Sequence, residues 1–101
     1  MGKIFNPFYR IIEIMQEQHL AHHNKLSALL KLCSSTVDMR ARSTLFKFYK
    51  NCKEIYAEMD KEMVNCRRLG KVTLKYTELE VKYIESINTF DQWTVMATLM
   101  F

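Results

Sequence analysis

From Asn6 to Cys33 one set of positions returns at alternating steps of four and three: Phe8, Ile12, Met15, His19, His22, Leu26, Leu29 and Cys33. That spacing keeps one stripe of a helix against a partner helix, as in coiled coils. Asn6 suits the N-cap and Pro7 the first helical position, where a missing N–H costs nothing. The first helix is expected to run from Pro7 to Leu32 or Cys33, and a break is expected over Ser34, Ser35 and Thr36, with Asp38 in the first turn of the next helix.

The same rhythm continues through Ala41, Leu45, Phe48, Cys52, Ile55, Met59, Glu62, Cys66 and Leu69. Beside this seam runs a second stripe of Phe46, Tyr49, Tyr56 and Met63. Two stripes on one helix predict two neighbours, which makes the second helix, about 37–69, the central one. Gly70 is placed to close it, behind Arg67 and Arg68, whose charges suit the carbonyl end.

The region 71–84 reads two ways. Val72, Leu74 and Tyr76 alternate, as do Leu79, Val81 and Tyr83, which is a strand pattern. Val72, Tyr76, Leu79, Tyr83, Ile87 and Phe90 also fall on one helical face, and the tight turn of a hairpin is missing, so a helix is expected. Thr89 and Gln92 resemble a capping box and predict a short last helix through Trp93, Val95, Met96, Leu99 and Met100.

The chain of 101 residues holds only two glycines and one proline. Few breakers mean long elements, and the length suits one domain spanning 1–101. The fold expected is an all-α antiparallel bundle of three long helices and a short C-terminal one, with coiled-coil-like heptad packing. No run of eighteen apolar residues is present, so no membrane segment is expected. Three cysteines, Cys33, Cys52 and Cys66, and no secretory leader point to a reducing, cytoplasmic setting. Each cysteine falls on a seam, where a small apolar residue belongs.

The histidines interrupt an otherwise apolar seam. A polar layer that fixes helix register is one reading of His19 and His22, and their replacement by leucine is then expected to raise stability. A metal site is another, with His19 and His22 one turn apart and Cys52 and Glu85 brought level by two antiparallel turns. No motif calls for a cofactor, and no arrangement of nucleophile, base and orienting group marks an enzyme.

Net charge is +4, with +6 over residues 1–53 and −2 over 54–101. Arg40, Arg42, Lys47, Lys50 and Lys53 are the candidates for contact with a nucleic-acid backbone. Glu54, Glu58, Asp60 and Glu62 interrupt that run further along the helix and argue for a solvated face instead. Twelve aromatic residues and seven methionines exceed what a small three-helix core needs. Such residues are enriched at interfaces. Phe46, Tyr49, Tyr56, Trp93, Met96 and Met100 are therefore the expected partner-binding residues. The function expected is a small non-enzymatic adaptor or inhibitor that binds a protein partner and forms a homo-oligomer, of the build found among virus- or phage-encoded host-modulating proteins. Nucleic-acid binding and a metal-binding bundle are the alternatives.

Overall fold

The computed structural model describes residues 7–100, and the side-chain surroundings of 10–96. Three helices account for nearly all of it: α1 (Pro7–Ser35), α2 (Met39–Leu69) and α3 (Leu74–Met100). They form an elongated body of 61 × 26 × 18 Å. At about 1.5 Å of rise per residue, the 31 residues of α2 span about 46 Å, so the long axis is set by the helices themselves.

The heptad seams are the core. On α1, Met15, His19, Leu26, Leu29 and Cys33 are buried, with Ile12 and His22 half-buried. On α2, Ala41, Leu45, Cys52, Met59, Glu62 and Cys66 are buried, and Phe48 and Ile55 pack against them. Leu69, the last expected seam position, is exposed. Asn6 lies outside the described residues, as do the side chains of Phe8 and Met100.

The α1–α2 link differs from the expected break. Ser34 and Ser35 remain helical, and the hydroxyls of Ser35 and Thr36 donate to the Leu32 carbonyl at 3.1 and 2.7 Å. Those bonds satisfy the last turn of α1 instead of opening α2. Asp38 is the N-cap: its carboxylate accepts from the Ala41 amide at 2.9 Å. At the other end, Gly70 has φ 70°, and the amides of Gly70 and Lys71 reach the carbonyls of Arg67 and Cys66 at 3.3 and 3.2 Å. This is a Schellman closure, and its left-handed residue is one that glycine adopts without a steric cost.

α3 opens on Thr73, a residue that the sequence reading passed over. Its hydroxyl oxygen accepts from the Tyr76 amide at 3.2 Å and its proton goes to Glu62 Oε2 at 2.6 Å. Glu62 also accepts from Asn65 Nδ2 at 2.9 Å. A buried carboxylate is tolerable here because both oxygens are hydrogen-bonded. The bonds from Thr73 and then Asn65 hold the Glu62 carboxyl below its ordinary value of 4.5, against the opposing pull of burial. A depressed folded pKa contributes stability above the unfolded value and loses it as the pH falls through the folded one. Glu62→Gln is therefore expected to flatten the acid limb of stability. Urea unfolding at steps from about pH 7 to about pH 3 checks this; parallel curves for parent and variant contradict it.

The helix expected in the region 71–84 is present: Leu74 opens it, and it continues to Met100. The separate C-terminal helix does not exist. Thr89 donates to the Glu85 carbonyl at 3.0 Å, the bond of a mid-helix threonine, and Phe90 is fully buried on the face of Tyr76, Leu79, Tyr83 and Ile87. A capping box needs the preceding helix to stop, and the apolar period passes through Thr89 without a phase change.

α2 packs directly on both neighbours, as its two stripes predict. Among the described residues, no Cα of α1 comes within 8 Å of a Cα of α3. The space between those two helices is crossed by long side chains.

Candidate functional site: a histidine–tyrosine layer and an open flank

His19 is buried where the three helices meet. Its Nε2 lies 3.0 Å from Asp60 Oδ1 on α2, and its Nδ1 lies 3.0 Å from the Tyr76 hydroxyl on α3. An ionised carboxylate only accepts, so a neutral His19 donates from Nε2 to Asp60 and accepts at Nδ1 from Tyr76. Its ring stacks on Tyr56 at 4.7 Å and 14°, and the Tyr56 hydroxyl reaches back to the His19 carbonyl at 3.5 Å. One turn on, His22 Nε2 donates to Glu80 Oε2 at 2.9 Å, and the Tyr83 hydroxyl donates to the His22 carbonyl at 2.6 Å. Further along, Lys25 Nζ reaches Asp91 Oδ1 at 3.4 Å.

These bonds join α1 to α3 without close packing of the two backbones. The surroundings of the phenols keep them protonated. Burial, then neighbouring charge, pushes Tyr76 and Tyr83 far above the ordinary tyrosine value, and burial and the Asp60 carboxylate raise Tyr56. Protonated phenols are the donors the layer requires. Among the described residues, every buried side-chain nitrogen and oxygen has a partner. The layer is thus a satisfied polar network, the arrangement in which buried polar groups specify register.

The proposed metal ligands are not gathered. Both ring nitrogens of His19 are taken by Asp60 and Tyr76, and His22 is turned to Glu80. Cys52 is fully buried near Asp91 and Cys33, and Glu85 is exposed. Burial pushes the Cys52 thiol up to about 11, away from the thiolate that metals and electrophiles require. Among the described residues, no group of three or more His, Cys, Asp or Glu is placed to hold a metal ion. The sequence-level register failed because the first turn centres near Val37, not Ser35, which sets His19 against Tyr56 in place of Cys52.

The expected partner-binding residues do not share one surface. Phe46 and Tyr49 meet edge to face at 6.5 Å, Tyr56 is turned into His19, and Trp93 leans on Phe48 at 6.2 Å. Met96 is exposed beside Val95. The more extensive apolar surface lies elsewhere, along the flank where α1 and α3 stand apart. At one end of it Ile11, Ile14 and Met15 face Val72, Tyr76 and Glu80 across a hollow of about 220 Å³. Further along α3, Asp91, Gln92, Val95 and Met96 line a hollow of about 450 Å³. Ile84 lies one turn beyond Glu80, which already reaches α1, and Val81 lies about a quarter turn round from Glu80 towards the outer side of α3. Val81, Ile84 and Val95 are 52, 44 and 61% exposed.

The five basic candidates, Arg40, Arg42, Lys47, Lys50 and Lys53, are all exposed. No acidic residue lies between 39 and 53, and among the described residues none of the five takes part in an ion pair. Among the described residues no helix is long and apolar enough to cross a membrane. No family model, curated protein or solved structure matches the chain.

Proposed function

We propose that the chain is a non-enzymatic protein-interaction module, an adaptor or inhibitor that presents the apolar flank between α1 and α3 to a protein. The observation that carries this reading is the uncovered row of Ile11, Ile14, Val81, Ile84 and Val95 on a flank whose helices are held apart by a satisfied polar layer. Exposed apolar side chains rimmed by polar ones, here Gln18, Glu80 and Asp91, suit an interaction site. The reactive groups of the layer and core serve structure in this reading: both ring nitrogens of His19 and the Nε2 of His22 are hydrogen-bonded, and the Cys52 thiol is pushed up by burial. Three buried, unpaired cysteines suit a reducing cytoplasmic setting.

The test is a photo-reactive benzoylphenylalanine in place of Ile84, with a second variant carrying it in place of Lys61 on the outer surface of α2. A discrete protein adduct from position 84, and none from 61, is the expected result. Absence of any protein adduct at 84 overturns the reading.

A second reading rests on the basic first half of α2. Five exposed cations, in a stretch with no acidic residue between positions 39 and 53, form a surface that a phosphate backbone fits. Anisotropy of labelled duplex DNA and single-stranded RNA over a salt series separates the two. Saturable binding that weakens steeply with salt and is lost in Lys47→Ala/Lys50→Ala favours nucleic acid; flat titrations favour the protein-binding reading.

A further inference from the structure

Resting on the protein-binding reading, we propose that the occupant of the α1–α3 flank is a second copy of this chain, with α1 of one copy lying opposite α3 of its partner.

Three observations carry the inference. The first is spacing. On the outer side of α3, Leu74, Val81, Ile84 and Val95 are exposed, and they share one heptad stripe with Thr77, Asn88 and Asp91. Asp91 of this stripe reaches Lys25 of α1, while the four aliphatic members stay uncovered in the single chain. α3 thus carries a second, mixed stripe beside the face buried in the core.

The second is area. The chain exposes 7549 Å². A monomeric globular protein of 12.1 kDa exposes about 6,000 Å². Part of the excess, roughly 1,500 Å², comes with the elongated shape. Even half of it matches the ~800 Å² that each partner buries in a standard interface.

The third is charge. α1 carries Arg10, Lys25 and Lys31 against Glu13 and Glu17, a net of +1. α3 carries Lys75 and Lys82 against Glu78, Glu80, Glu85 and Asp91, a net of −2. A twofold axis running along the bundle sets α1 against α3 and pairs opposite signs. An axis running across it sets α1 on α1 and α3 on α3 and pairs like signs. Complementary fields favour the first.

Sedimentation equilibrium of the full chain tests this. The parent is expected at twice the 12.1 kDa chain mass. Val81→Lys/Ile84→Lys is expected at the single-chain mass with unchanged helical circular dichroism. Val64→Lys, equally exposed but on α2, is expected to stay at the double mass. A parent that sediments as a single chain at about 100 µM, where even a weak dimer forms, overturns the inference. A double-mass species that survives in the Val81→Lys/Ile84→Lys variant also overturns it. The photo-adduct at position 84 separates the two levels. An adduct of the chain with itself supports the inference. An adduct with a different protein overturns it while the protein-binding reading stands, and the absence of any adduct overturns both.

Discussion

Phe90→Ala is expected to lower the unfolding free energy by about 3–5 kcal/mol, the range for a fully buried phenylalanine whose removal leaves a cavity. Phe90 is 0% exposed and continues the face of Tyr83 and Ile87. Gln92→Ala, at an exposed position on the same turn, is expected to change stability by no more than about 0.5 kcal/mol. The pair decides how the C-terminal third is built. Were Thr89 and Gln92 a capping box, Gln92→Ala would remove a cap and Phe90 would lie in a turn. Urea unfolding followed by circular dichroism measures both variants, and a small loss for Phe90→Ala contradicts a continuous α3.

The second large effect concerns His19. On the sequence alone, leucine at this position is expected to stabilise an apolar seam. The structure reverses that expectation, because the Tyr76 hydroxyl is buried and His19 Nδ1 is its acceptor. His19→Leu leaves that hydroxyl unpaired and is expected to cost about 1–3 kcal/mol. Tyr76→Phe strands the other side of the same bond. The double variant His19→Leu/Tyr76→Phe removes both partners and is expected to recover most of the loss. The double-mutant cycle measures the coupling directly. Additive single effects, with no recovery in the double variant, would mean that His19 and Tyr76 do not share a bond.

What the sequence made legible was each helix taken alone. The seams of α1 and α2 are read from intervals of three and four, and Gly70 is a stop signal that needs no tertiary context. The partners of His19 were not legible. Asp60, Tyr76 and Glu80 reach the layer through the relative register of three helices. Register follows from where the links fall, and a shift of the first turn from Ser35 to Val37 moves the opposing residue from Cys52 to Tyr56. The strand-like alternation of Leu79, Val81 and Tyr83 has a physical origin in the two faces of α3. Leu79 and Tyr83 belong to the buried face and Val81 to the exposed one, so two helical stripes interleave and imitate a period of two. The same overlay hid the outer seam, whose aliphatic members are separated by Asn88 and by charged residues. Thr73 gave a signal that was present but unused: a threonine shortly after a helix-ending glycine is an N-cap candidate.

The central claim is that α1 and α3 are tied by side chains and not by backbone packing, leaving an apolar flank that a second chain covers. Hydroxyl-radical footprinting read residue by residue over a dilution series tests it most directly. In dilute protein, Ile11, Ile14, Val81, Ile84 and Val95 are expected to label strongly while Leu79, Tyr83 and Phe90 stay protected. As concentration rises, labelling of the first group is expected to fall while Val64 remains labelled throughout. Protection of Val81 and Ile84 equal to that of Leu79 and Tyr83 at every dilution would contradict the account, since α1 and α3 would then close directly on each other.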